Sequence, residues 1–138
     1  MAGSKSDAYE GLLLDYLFGG TAITLAGTVY VGLWTAALSD TSTAATAGEV
    51  SGSGYARAAV ARNNTNFPAA AGGTISNGAA ISFGTAGADW GTVTHLAVTS
   101  SSSGAGTIFY WADLTASKII QNGDPVQINV GDLDITEA

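Results

Sequence analysis

From residue 28 almost to its end the sequence runs on a period of two, and this limits the available folds more than any other feature. Side chains alternate across a strand, so each such run has two readable faces. Thr28–Thr35 sets Val29, Val31 and Leu33 against Tyr30 and Trp34. Apolar residues on both sides predict a central strand covered on both faces. Tyr55–Arg62 resumes the pattern, and Thr74–Phe83 aligns Ala79, Ile81 and Phe83. In Trp90–Thr99, Val93, His95 and Ala97 stand opposite Thr94, Leu96 and Val98. In Thr107–Leu114 alternation places Phe109 and Trp111 on one face and Tyr110 on the other. Ser117–Ile120, Val126–Val130 and the pair Leu133 and Ile135 complete the set. Turn signals separate these runs at Ser100–Gly106, Asn122-Gly123-Asp124 and Gly131-Asp132. Ala36–Gly54 reads as a polar loop of small residues, of a length that is usually functional or disordered.

Ahead of the strands stands a single helical period. Tyr9, Leu12, Leu13, Tyr16 and Leu17 recur at helical spacing over residues 7–18. Asp7 and Glu10 have capping-box spacing, Leu14 and Phe18 widen the apolar side, and Gly19-Gly20 ends the segment. Parallel α/β architecture needs a helix between strands. The expectation is therefore an all-β, antiparallel β-sandwich, jelly-roll or immunoglobulin-like, with one short N-terminal amphipathic helix. Residues 1–6 read as a flexible or partner-ordered arm, and residues 7–138 as one domain.

Composition narrows the function classes. The chain has 138 residues, no Cys, one His (His95) and four cationic side chains, Lys5, Arg57, Arg62 and Lys118. Covalent, metal and acid–base catalysis draw on the residue types that are scarce here. No nucleophile motif accompanies His95, and no phosphate-binding fingerprint precedes a helix. Asp132, Asp134 and Glu137 are a fragment of a cation loop, and their plainer role is in turns. The expectation is a protein without catalytic residues, metal or cofactor. A net charge of −7 argues against nucleic acid and against anionic membranes. Charged residues make up 11% of the chain, against about 25% in ordinary soluble domains. Lys and Pro are scarce in the strand runs, where sandwiches commonly guard their edges. Both observations predict a surface covered by neighbouring subunits.

The order of local patterns carries a resemblance. Gly19-Gly20-Thr21-Ala22 follows the leucine-rich helix, and Val29-Tyr30-Val31-Gly32-Leu33-Trp34-Thr35-Ala36 comes next. Gly48-Glu49-Val50-Ser51-Gly52, Gly54-Tyr55-Ala56-Arg57, Asp89-Trp90-Gly91-Thr92-Val93-Thr94-His95, Asn122-Gly123-Asp124 and Gly131-Asp132-Leu133 complete the series. The chain resembles a family of small tailed-bacteriophage virion proteins often labelled tail fibre or minor tail protein. The resemblance implies a virion structural component assembled in the host cytoplasm. A fibre shaft needs a coiled coil, collagen-like triplets or a repeating β-structure, and this sequence has none. The label is therefore resolved toward a capsid decoration (cement) protein, expected as a homotrimer bridging major capsid subunits. A tail fibre, baseplate or neck adaptor is the alternative, and a carbohydrate-binding module built on the aromatics is a further one. The expected contact residues are Lys5 and Ser6 of the arm, Tyr9, Leu13 and Tyr16 of the helix, Glu49, Tyr55 and Arg57 about the long loop, and Trp34 and Trp111.

Overall fold

The computed structural model describes residues 3–137. In chain order they form β1 (Gly3–Lys5), α1 (Asp7–Phe18), β2 (Thr28–Trp34), β3 (Ala58–Ala61), β4 (Thr74–Ser76), β5 (Ile81–Thr85), β6 (Gly91–Thr99), β7 (Ile108–Ile120), β8 (Pro125–Ile128) and β9 (Asp134–Thr136). A five-stranded antiparallel sheet runs β1-β7-β6-β2-β3. Two separate ribbons, β4-β9 and β5-β8, make the second layer. The fold is the expected all-β sandwich, with a second layer built from two pieces.

Both faces of the large sheet are covered, as the residues of β2 require. Val31, Leu33, Leu96 and Val98 meet Ile81, Phe83 and Leu133 of the ribbon layer in the main core. On the reverse face Trp34, Ala97 and Ile108 pack under Leu38 and Ala44 of the long loop. That loop is thus a lid of the fold itself. Gly32 permits it: a Cβ there would stand 2.7 Å from the Trp34 ring and 3.3 Å from the Glu49 carboxylate. Gly48 holds φ +96°, a backbone conformation that L side chains rarely adopt, with Ala36 directly beneath it.

Three departures from simple alternation change which residues share a face or a strand, and β5 carries a further register shift against β8 between Ser82 and Gly84. The register of β6 on β7 shifts between Val98 and Thr99, whose partners are Tyr110 and Ile108, so Phe109 is an extra residue. Phe109 and Tyr110 therefore both join the main core side, and Trp111 alone turns to the reverse face, correcting the expected grouping of Phe109 with Trp111. A second shift, between Val93 and His95, sets Leu114–Ser117 across from Thr94 alone. Val93 consequently shares the main core with Leu96 and Val98, not the face of His95 and Ala97. Thr74–Phe83 is two strands rather than one. Asn77, 1% exposed, breaks it by donating to the carbonyls of Ala79 and Asn129 and accepting from the Leu133 N–H.

The helix occupies the predicted span, but its cap is Ser6, whose Oγ accepts from the Tyr9 N–H. Ser6 Oγ also donates to the Ile108 carbonyl, tying the helix start to β7. Asp7 stands in the first turn and donates its N–H to the Asp40 carbonyl at 2.8 Å. Within the expected arm, Gly3–Lys5 pairs with Tyr110–Ala112 as an edge strand. Met1 and Ala2 of that arm lie outside the described residues.

The edge strand is fastened by Glu137. Lys5 Nζ stands 2.5 Å from Glu137 Oε2, and the Tyr110 hydroxyl donates to Glu137 Oε1. Burial pushes the Glu137 carboxyl up, but bonds from Lys5 and Tyr110 and the charge of Lys5 outweigh it and hold the group below its usual value. The hydrogen bond to Glu137 raises Lys5. Burial, then the carboxylate, raises Tyr110. A lowered carboxylate stabilises the fold above its unfolded value near 4.5 and loses that contribution as pH falls. A raised phenol or ammonium stabilises it below its unfolded value and loses that as pH rises past about 10. Exchange protection of the β1 amides, corrected for intrinsic rate, is expected to fall at both extremes. The Glu137→Gln variant should lose the acid-side change. The effect should stay within about 1 kcal/mol, because the pair is solvent-screened.

Candidate functional site

Most of the predicted contact residues fall into two groups, while Lys5 pairs with Glu137, Ser6 ties the helix start to β7 and Trp111 lies beside His95. Trp34, Glu49, Tyr55 and Arg57 meet inside the molecule. Glu49 lies across from Trp34 in an isolated β-bridge, which brings its carboxylate to the guanidinium of Arg57 just ahead of β3. Arg57 Nε donates to Glu49 Oε1 at 2.7 Å and Arg57 Nη2 to Oε2 at 2.8 Å, a two-pronged ion pair. Its other donors reach the carbonyls of Ala44 (2.7 Å), Ser101 (2.9 Å) and Gly104 (3.0 Å) and the Ser101 hydroxyl. The guanidinium carbon lies 5.7 Å from the Trp34 ring centroid. The Tyr55 hydroxyl donates to Glu49 Oε1 and accepts from the Leu33 N–H. Burial pushes that phenol well above its ordinary pKa, and the Glu49 charge adds to the rise while the Leu33 bond opposes it. Arg57 is 6% exposed and Trp34 fully buried. This network locks the lid loop to the β6–β7 hairpin loop.

Around His95 the structure assembles a group that sequence reading did not anticipate. His95 Nε2 lies 2.7 Å from Asp113 Oδ1, and Nδ1 lies 2.8 Å from Thr94 Oγ1. The order hydroxyl–imidazole–carboxylate matches a nucleophilic triad in composition. Its setting does not serve that chemistry. Asp113 is 62% exposed, Thr94 is the strand neighbour of His95, and none of the three lines the principal cavities. The cross-strand pair closes the ladder beside the β7 irregularity. Trp111 lies half-buried on the same face, 6.3 Å from the His95 ring, and donates to Asp40. With Trp34 and Trp90 buried, the aromatics do not gather into a surface platform. Asp132 accepts from Asn129, and Asp134 from Ser76. Among the described residues no group of three His, Asp or Glu could hold a metal ion.

The second group belongs to α1. Tyr9 packs edge-on against Phe109 (5.1 Å) and Tyr110 (5.6 Å), which anchors the first turn. Beyond it the helix leaves the sandwich. None of its residues is buried, and Leu14, Tyr16, Leu17 and Phe18 are 57%, 54%, 67% and 83% exposed. The amphipathic reading is corrected here. Leu14 and Phe18 carry apolar surface around most of the helix circumference, so the sandwich can cover only a fraction of it. The helix bears Asp7, Glu10 and Asp15 and no cation, with Asp15 in the turn where the backbone dipole disfavours a negative charge.

Two apolar grooves open between the layers. One, about 410 Å³, is floored by Val29, Val98 and Phe109 and is partly filled by Tyr9 and Leu25 of the same chain. The other, about 380 Å³, lies where β7 and β8 fail to pair. Its floor is Leu33, Phe83 and Leu96, and its rim carries Leu114, Ala116 and Lys118. Sequence reading missed this opening, because the three-residue excess in β7 over β6 that creates it leaves no periodic trace.

The sandwich thus spends its buried cation on its own loops, and its described helix offers apolar surface outward. The family described as Podophage GP4 fiber I protein gp80 matches residues 4–136, and the chain belongs to that family of phage fibre proteins. No curated protein matches the sequence. The match carries the fibre label and leaves the capsid-decoration reading without support of its own.

Arg57→Ala should cost roughly 3 kcal/mol, the lower end for breaking one side of a buried ion pair, since Glu49 keeps some water. The urea midpoint reads this directly. Arg57→Lys should recover only part, because an ammonium lacks the planar fork. Glu49→Gln combined with Arg57→Lys should fall short of the sum of the single effects, as coupled neighbours do.

Proposed function

We propose that this protein is a non-enzymatic structural subunit of a phage tail fibre that works by contact with other proteins. The observation that carries the reading is α1: an apolar helix projecting from a folded domain, on a chain of a fibre family. Exposed apolar patches of this kind mark interaction sites. The ionic groups leave little for electrostatic recognition. Lys5 is paired with Glu137 and Arg57 with Glu49, and the His95 ring lies against Asp113. Affinity then comes from buried apolar area with a few paired charges at its rim. A compact sandwich makes a tip, a base or an adaptor of a fibre rather than a shaft.

Quantitative mass spectrometry of purified particles, with gold-labelled antibody, tests the placement. The expected result is label at the tail and a copy number far below that of the major capsid protein. Label over the head, at a copy number matching the capsid lattice, would replace this reading with capsid decoration. Absence from the particle would end both.

A further inference from the structure

We infer that the distal half of α1 docks into the apolar groove between β7 and β8 of a second copy of this chain. The inference rests on reading α1 as an association surface and names what it associates with. Three observations lead to the second copy. The helix tip offers Leu14, Leu17 and Phe18, all more than half exposed, and the groove offers a floor of Leu33, Phe83 and Leu96. The helix is acidic without a counter-charge, and the groove lining carries Lys118 together with Asp132, whose carboxylate accepts from the Asn129 amide.

Lys118 is the cation left over. Lys5 is held by Glu137 and Arg57 by Glu49, while Arg62 donates to the Ala26 carbonyl. Lys118 has no ionic partner among the described residues. Of the two grooves, this is the one whose lining carries a cation with no partner among the described residues, so an acidic helix end has Lys118 to meet there despite Asp132 nearby. Asp15 is the natural partner, since a cation beside it relieves both the unpaired charge and the unfavourable dipole. The groove of the same copy near Tyr9 is a poorer receptor. Tyr9 and Leu25 already line it, and its cation, Arg62, is engaged by backbone. Packing of α1 helices against one another is disfavoured, because it would gather Glu10 and Asp15 of every copy with no cation on any helix.

The absence of Cys gives a clean test. Phe18→Cys and Ala116→Cys are prepared as separate full-length chains, mixed and mildly oxidised. The expected product is a disulfide dimer formed in the mixture and absent from either variant alone. Dimers from Phe18→Cys alone would mean that helices pack on helices and would overturn the inference. Light scattering of the unmodified chain at tens of micromolar should give a multiple of the chain mass. Leu17→Asp with Phe18→Asp should reduce it to one chain mass with unchanged strand signal in circular dichroism, since both side chains are exposed. Lys118→Glu and Asp15→Lys should each weaken association at least tenfold, and together restore it. A single chain mass for the unmodified protein, or an assembly indifferent to the helix tip, overturns self-docking. Neither result decides the tail-fibre reading, which is tested separately by location in the particle.

Discussion

The pairing of Arg57 with Glu49 is the interaction on which the rest of the structure depends. A guanidinium taken out of water is costly unless each donor finds an acceptor. Here the donors fix the lid loop at Ala44 and Glu49 and the hairpin loop at Ser101 and Gly104. With the lid in place, Leu38 and Ala44 cover Trp34, Ala97 and Ile108. Without it, the reverse face of the large sheet would present that apolar surface to solvent. Gly32 and Glu49 set how closely the lid approaches, and Tyr55 closes the network by linking Glu49 to the Leu33 backbone. The lock also fixes the Asp40 carbonyl over the first turn of α1. The lid therefore bears on both the sheet and the helix.

A consequence concerns charge. A chain with few cations has used most of them internally, each for a structural purpose. Lys5 fastens β1 through Glu137, and Arg57 fastens the lid. The outer surface is left acidic and sparsely charged. Such a surface gives little long-range steering and little solvation, and contact must rest on apolar area. This charge distribution supports the proposed role as a fibre component that works by contact with other proteins.

Much of this was legible in the sequence where one physical rule acts alone. The helix over 7–18 was readable because its period stands by itself, and β2 because apolar residues on both faces have a single explanation. Misreadings occur where two rules compete. Phe109 breaks alternation because a bulge inserts it, and no residue type announces a bulge in so aromatic a run. Asn77-Gly78 is a turn signal, yet the apolar spacing on either side of it suggests one continuous strand. Ser6 displaces the Asp7 cap because its hydroxyl can reach both the Tyr9 N–H and the Ile108 carbonyl, and the second is visible only in three dimensions. Arg57 and Glu49 read from the sequence as contact residues, and they do make contacts, but with loops of their own chain. Nothing in the eight-residue spacing distinguishes an internal lock from an external one.

The helix raises a question of scale. Twelve residues are at the margin of what holds a helix in water unaided. The Ser6 cap and Tyr9 secure only its first turn, so the distal half gains little from the sandwich. Covering Leu14, Leu17 and Phe18 would be worth roughly 3–6 kcal/mol in all, given their partial exposure at about 1.5–3 kcal/mol per fully buried side chain. Association costs about 4–15 kcal/mol in lost rigid-body freedom. One helix in one groove is therefore close to break-even and would bind weakly. An arrangement in which every subunit gives a helix and also receives one meets that cost once for two contacts, and a closed assembly gains further from the last contact it forms. In such an arrangement the weakness of the single contact would make assembly cooperative, because a subunit held on one side alone would leave readily and one held on both would not.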